Sequence, residues 1–317
     1  MSSCNLTTPL TRTKQTDEAY WKRFEQLVRQ FERAHGREPD EDSEFVMWLV
    51  EHVRPTLAKS SWRQYKASVK MVLQANSNSG HPDAIYALSI LNQAGQQECI
   101  KTTTRTSAAK AKCLNLSDYQ LLLEGLSRTS SRYANVAKAI FILGLMTGLR
   151  PGEWIHAEYV VENGISGIRV RNAKATNGRA TGEFRFIPFP VGPHARLAQR
   201  LISTCRRWQI TGDYNKKYKS MSSLFRRTAR KIWPNDHRRA TLYTSRHIFS
   251  AAMKAALPGE EVSNLLGHCS EDTKHRHYAR RSRSALCLHN TMRENFGLQV
   301  LPFRPNRPRV QRAPGPE

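Results

Sequence analysis

The chain has 317 residues, with 50 Lys and Arg against 26 Asp and Glu and a formal net charge of +24. That length suggests two domains with cores that need no disulfide or metal staple; the longest apolar run, around Ala139–Met146, falls far short of the roughly 20 residues of a membrane span, and the opening MSSCNLTTPLTRTK lacks the apolar core of a secretory signal. A charge of this size points to a polyanionic partner, and to a nucleic acid rather than an anionic membrane, because no basic block adjoins an apolar anchor.

Residues 1–16 are polar and rich in Thr and Ser, and are expected to be disordered. From Asp17 to His35 the apolar residues Tyr20, Phe24, Leu27, Val28 and Phe31 recur at helical spacing, with Gly36 as the stop. Further helices are expected from Asp40, with Phe45, Trp48, Leu49 and Val53; from Ser60 to Ala75, with Trp62, Tyr65, Val69 and Leu73; and from Pro82 to Ala94. Residues 17–96 thus read as a small all-helical domain. Its third helix carries Arg63, Lys66 and Lys70, which suit contact with a phosphate backbone or an ordinary solvated face. Residues 97–113, QECIKTTTRTSAAKAKC, hold no aromatic residue but Lys101, Arg105, Lys110 and Lys112, and read as a basic linker. Helices are expected next over Leu116–Leu126 and Arg132–Thr147. The period then changes. Ile155–Val161 and Ile165–Arg171 flank Asn163-Gly164, a hairpin signal, and Glu183–Phe189 supplies a third strand. Helices fit Pro193–Ile210, Lys217–Ile232, Thr244–Ala256, Glu260–Leu266 and Ser284–Phe296. The segment 299–317, rich in proline and arginine, is expected to be a disordered tail. The fold class is therefore mainly α with a small antiparallel β-sheet (α+β).

Four features can carry chemistry. In TGLRPGEW (Thr147–Trp154) a glycine allows an unusual turn, and Arg150 follows with a planar fork able to hold a phosphate through two bonds. In YTSRHIFS (Tyr243–Ser250), Arg246 and His247 open an apolar helix. In NLLGH (Asn264–His268), a short helix stops at Gly267 and presents His268. Tyr278 stands ten residues further on, within HRHYARR. Each feature alone is compatible with a capping, core or surface role. His268, Cys269, His275 and His277 lie close together but match no zinc spacing. The six cysteines form no CxxC pair, which fits a reducing cytoplasm, and no Walker motif is present. Neither a metal nor a cofactor is expected.

In type, order and spacing, the four features together resemble the tyrosine recombinase (phage integrase) family over about Leu114–Phe296. The resemblance implies that Arg150, Arg246, His268 and Tyr278 are catalytic, and Glu153 stands where the family commonly has an acidic residue. The family also uses a lysine on a β-hairpin between the two arginines. Lys174 occupies that place, with Arg171 and Arg179 as nearby competitors. One position departs from the pattern: Tyr243 stands first in the HxxR-type box, where the family usually has histidine. A tyrosine can still donate a hydrogen bond to a phosphate oxygen, but its ordinary pKa of about 10 leaves base work to His268 or His247. The resemblance further implies a helical, core-binding (SAM-like) DNA-binding domain at 17–96 and a catalytic domain at 114–298.

The implied activity is site-specific recombination of duplex DNA through a 3′-phosphotyrosyl intermediate, independent of metal. Tyr278 is the expected nucleophile, Arg150 and Arg246 hold the non-bridging oxygens, Lys174 protonates the leaving 5′-hydroxyl, and His268 orients the phosphate or accepts a proton. Tyr243 joins this catalytic set as a phosphate donor, with Arg63, Lys66, Lys70, Arg171 and His247 as further DNA contacts. The expected partners are duplex DNA bearing specific recombination sites, further copies of the chain in a homotetramer, and an accessory directionality factor. The expected task is integration, excision or resolution of a mobile element. The last helix, with Leu286, Leu288, Met292 and Phe296, either packs on a neighbouring protomer, as in the family, or folds back on its own domain. Two other readings fit the same residues: a type IB topoisomerase-like nicking-closing enzyme, and a catalytically silent DNA-binding protein.

Overall fold

The computed structural model describes residues 14–100, 111–172, 182–235, 240–267 and 282–304. The chain divides into two compact units, Met1–Arg105 and Thr106–Glu317. No helix among the described residues is long and apolar enough to cross a membrane.

The first unit is all-helical. Helix α1 spans Lys14–His35, α2 Asp42–Trp48, α3 Lys59–Asn78 and α4 Pro82–Gln93. Gly36 stops α1 in the left-handed region, at φ 72°. After Trp48 the chain widens into a π turn, Leu49–Val53, and then tightens into a 3-10 turn, Arg54–Thr56, at Pro55, whose ring cannot continue an α-helix. The core is aromatic: the rings of Phe31 and Trp48 meet edge to face at 5.3 Å, and Trp62 is fully buried. Such geometry adds to the burial energy of each ring.

The expected linker is shorter than 97–113. Cys99 is buried in the first core, and the Ile100 amide donates to the Leu57 carbonyl at 3.0 Å. Ala111 and Leu114 are buried in the second core. Cys99 and Ala111 are small enough to be buried although their surroundings in the sequence are basic. Lys101, Arg105 and Lys110 lie outside the described residues. The N-terminal boundary also moves, because Lys14 already begins α1.

In the second unit, α5 (Leu116–Ser127) and α6 (Ala134–Thr147) lead through a 3-10 helix, Pro151–His156, into strands β1 (Ala157–Glu162), β2 (Ile165–Arg171) and β3 (Phe184–Pro188). Helices α7 (Pro193–Ile210), α8 (Tyr214–Ile232), α9 (Thr244–Ala256), α10 (Gly259–Leu266) and α11 (Arg283–Asn295) follow. Side-chain caps start two of them: Asn115 Oδ1 accepts the Asp118 amide at 2.7 Å, and Ser282 Oγ accepts the Ala285 amide at 3.2 Å, each satisfying an orphan donor. The sheet is antiparallel in the order β1-β2-β3, with Val170 opposite Ala157 on one side and Arg185 on the other. Asn163 and Gly164 turn the hairpin with φ of 50° and 77°, the double positive φ of a tight two-residue turn. Ile155 and His156, expected at the start of β1, belong instead to the 3-10 helix, because Pro151 favours a helical first position.

Helices α6 and α9 form the centre of this unit: most of α6 and nearly all of α9 is buried. α11 packs against both, with Leu286, Leu288 and Met292 buried. Of the two expected placements of this helix, the structure has it folded back on its own unit. The expected tail at 299–317 begins later. Asn290 holds the Leu301 backbone through two hydrogen bonds of 2.9 and 3.0 Å, the Arg304 amide donates to the Ala255 carbonyl at 2.8 Å, and Arg283 lies 4.5 Å over the Phe303 ring. These backbone bonds and the aromatic contact outweigh the disorder that the proline content suggests.

Candidate active site

The TGLRPGE segment is built by local rules. α6 ends at Gly148, which is left-handed (φ 62°, ψ 16°) and donates its amide to the Gly144 carbonyl at 2.9 Å. A Cβ at Gly148 would also lie 2.2 Å from Phe249 Cδ1, so glycine is required both for conformation and for space. The turn points the chain into the 3-10 helix, with Arg150 just before Pro151. Glu153 reaches back to hold that arginine twice: Oε2 accepts the Arg150 amide at 2.7 Å, and Oε1 accepts Arg150 Nη1 at 2.7 Å. The Arg150 side chain keeps 14% of its surface exposed, while Glu153 keeps none.

Arg246 comes from the first turn of α9 and is fully buried. Its Nη1 donates to the Gly148 carbonyl and its Nη2 to the Leu266 carbonyl, the latter at 2.9 Å. These carbonyls lie at the C-terminal ends of α6 and α10, where backbone acceptors lack helical partners and the dipole favours a cation. Both helices end on a left-handed glycine, Gly148 and Gly267. Arg246 Nη1 also stands 3.8 Å from Glu153 Oε2.

A third arginine completes the cluster, and the sequence reading missed it. Arg185 on β3 has only 4% of its side chain exposed. Its Nη2 donates to Glu153 Oε2 at 2.7 Å and its Nη1 to Glu153 Oε1 at 3.3 Å. Nη1 also meets Asn172 Oδ1 at 2.6 Å, and Nε meets the Leu265 carbonyl at 3.0 Å. A Cβ at Gly267 would fall 2.3 Å from Asn172 Oδ1 and 3.0 Å from Arg185 Nη1, so that glycine admits this pair as well as ending α10. Strand alternation in the sequence is ambiguous here, because Phe184 and Phe186 compete with Ile187 and Phe189 for the inward face. Arg185 shares its face with Ile187, which is buried, while Phe184 points outward.

Burial alone would raise the Glu153 pKa, but the charges of Arg185 and Arg246, the Arg185 hydrogen bonds and Arg150 outweigh it and hold the carboxyl at about 2. Among the described residues, three guanidiniums surround this one buried carboxylate. Desolvated positive charge of this kind is costly unless an anion meets it, and guanidinium forks fit phosphate oxygens.

Tyr243 and His247 lie one helical turn apart at the start of α9, beside Arg246, with their rings edge to face at 5.2 Å. His247 is 8% exposed. Arg171 is exposed at the end of β2 and pairs with Glu183 at 3.2 Å. In the first unit, Lys66 Nζ donates to the carbonyls of Asn92 and Ala94 at 3.0 and 2.8 Å, and Lys70 Nζ to Asn92 Oδ1 at 3.0 Å. Both lysines therefore serve the C-terminal end of α4, and Arg63 is exposed. Lys174, Arg179, His268 and Tyr278 lie outside the described residues, as do Cys269, His275 and His277. A further basic surface went unread in the sequence. α8 contains no acidic residue and exposes Lys216, Lys219, Arg226, Arg227, Arg230 and Lys231.

No family model and no curated protein matches the sequence. Solved structures do match it. A lambda integrase tetramer bound to a Holliday junction aligns with a TM-score of 0.53 at 16% identity, over 86% of this chain and 74% of that one. A lambda integrase dimer bound to a COC′ core site aligns with a TM-score of 0.50 at 16% identity, over 86% of this chain and 91% of that one. The chain has the tyrosine recombinase fold.

Proposed function

We propose that the chain is a site-specific DNA recombinase that cuts and rejoins duplex DNA through a 3′-phosphotyrosyl intermediate. The observation that carries this reading is the buried cluster of Arg150, Arg185 and Arg246 around Glu153. It joins two of the four motif segments, and the third, NLLGH, supplies the Leu266 carbonyl that holds Arg246. In the proposed reaction the Tyr278 oxygen attacks a backbone phosphorus and the bond to the 5′-oxygen breaks. Arg150 and Arg246 meet the negative charge that grows on the non-bridging oxygens, a kind of stabilisation worth about 10²–10³ in rate per donor. Lys174 gives its proton to the departing 5′-oxygen, and His268 takes the tyrosine proton or orients the phosphate. The ester conserves the bond energy, so attack by a new 5′-hydroxyl reseals the strand without ATP. Tyr243, three residues before Arg246 in the chain, is a third donor to the phosphate.

The basic face of α8 supports duplex DNA as the partner, because six exposed cations on a helix without acidic residues suit a phosphate backbone. We further propose a tetramer, the assembly in which lambda integrase is bound to a Holliday junction; two recombination sites of a mobile element as its substrate and an accessory factor setting direction complete the proposal.

The test is covalent trapping in EDTA. Nicked suicide duplexes drawn from the DNA flanking the coding sequence are incubated with the protein, and SDS-resistant adducts are counted. An adduct lost in Tyr278→Phe is the expected result. Tight, salt-sensitive binding without an adduct would overturn the reading in favour of a binding-only protein.

A further inference from the structure

We propose that Arg185 is a positioning residue for Arg150, acting through Glu153. This rests on the reading of Arg150 as a phosphate-holding group. Arg185 spends its Nε, Nη1 and Nη2 donors on the Leu265 carbonyl, Asn172 and Glu153, so its effect on a bound phosphate passes through these neighbours.

Three observations carry the role. The first is its place in the strand. Arg185 sits opposite Val170 and two residues before Ile187, both buried, on the face of the sheet that packs the core. An apolar residue would satisfy that face at no desolvation cost, and buried ion pairs are weak sources of stability. The second is geometry. Arg185 takes both oxygens of Glu153, at 2.7 and 3.3 Å. The same two oxygens accept the Arg150 amide and Arg150 Nη1, each at 2.7 Å. A carboxylate fixed in plane by one fork therefore fixes both ends of Arg150. Arg185 is itself anchored by Asn172 Oδ1 at 2.6 Å and by the Leu265 carbonyl at 3.0 Å, and Asn172 Nδ2 in turn donates to the Gly182 carbonyl at 3.0 Å. A group held on every edge can hold another in place.

The third is charge. Glu153 without Arg185 would have its negative charge matched by Arg150, the next guanidinium in contact, with Arg246 Nη1 further off at 3.8 Å. With Arg185 present, two guanidiniums share the Glu153 charge, and Arg150 has less of it to neutralise. Arg185 thus sets both the orientation and the effective charge of Arg150.

The experiment compares single-turnover cleavage of two suicide duplexes, one with an ordinary phosphodiester and one with a neutral methylphosphonate at the scissile position. The methylphosphonate lacks the oxygen charge that Arg150 is proposed to meet. Arg185→Met is expected to bind DNA within about 3-fold of the parent at matched salt, because its side chain touches no ligand. Its phosphodiester cleavage is expected to fall by about 10²-fold, as for a lost transition-state donor, while its methylphosphonate cleavage stays within about 3-fold of the parent. An equal loss on both substrates would make Arg185 merely structural, and unchanged phosphodiester cleavage would remove its role; either overturns the proposal. Should Arg185→Met fail to fold, Arg185→Lys carries the test. Lysine neutralises Glu153 but cannot grip both oxygens, so a smaller loss, about 10-fold, with the same substrate pattern is expected. A parent protein that forms an adduct on neither substrate would sink the recombinase reading itself, a result separable from failure of the Arg185 variants alone.

Discussion

Glu153→Gln changes one atom type and leaves the shape of the side chain intact. It removes the only negative charge in contact with Arg150 and Arg185 among the described residues, and leaves three guanidiniums facing one another. The Glu153 pKa of about 2, against an ordinary 4.5, measures how strongly the native state prefers the charged form. At about 1.36 kcal/mol per unit, that preference is worth on the order of 3 kcal/mol. Removing one partner of a buried pair costs about 3–5 kcal/mol by a separate route, and the two figures agree. The sign follows from the lowered pKa. The contribution is complete above pH 4.5 and is lost as pH falls through 2. At pH 7, urea unfolding of the full chain followed by tryptophan fluorescence should therefore show a loss of about 3–5 kcal/mol in the second unit. Trp154, buried next to Glu153 in the chain, contributes to that signal. Between pH 4.5 and 2 the variant should lose less stability than the parent, by about one proton of slope. A loss under about 1 kcal/mol at pH 7, with an unchanged acid limb, would refute the reasoning.

A second acid-sensitive group lies deeper in the unit. Burial holds the His289 pKa down at about 4, although its bond to the Leu145 carbonyl opposes the shift. Since the unfolded chain takes up the proton first, stability should fall by about 3 kcal/mol as pH drops from 6.5 through 4. His289→Gln, which can still donate to that carbonyl, should flatten this limb in urea titrations, and an unaltered limb would count against the assignment. Gly148→Ala should destabilise by about 2–4 kcal/mol, from positive φ and from crowding against Phe249; a cost below about 0.5 kcal/mol would show that the turn can relax. Replacing Arg226 and Arg230 on α8 with glutamine should lower the salt slope of DNA binding by about 1.8, at about 0.9 per phosphate contact, and an unchanged slope would free α8 from the DNA surface.

The parts legible in the sequence are those governed by local rules. Gly148 and Gly267 punctuate helices, Asn163-Gly164 turns a hairpin, and apolar spacing marks α1, α3 and α7. The TGLRPGE segment reads in the same way, because Glu153 reaches back to an N-cap, Arg150, that lies only three residues earlier. Arg185 could not be read so, because local preference points the other way. In EFRFIPF the phenylalanines at 184 and 186 look like the inward residues, and Arg185 the outward one. The fold reverses this: Phe184 is half exposed, while Arg185, Ile187 and Phe189 are buried. What decides the register is a carboxylate 32 residues away in sequence and a carbonyl 80 residues away. The ends of the linker failed for a related reason, since Cys99 and Ala111 are small enough to enter a core from a basic segment. A charged residue on the core face of a strand breaks the consistency that a folding sequence otherwise keeps across levels. Such breaks are expected where function demands them. Here the break falls on the residue whose fork holds both oxygens of Glu153, the carboxylate that in turn holds the backbone and side chain of Arg150, the group proposed to meet a phosphate.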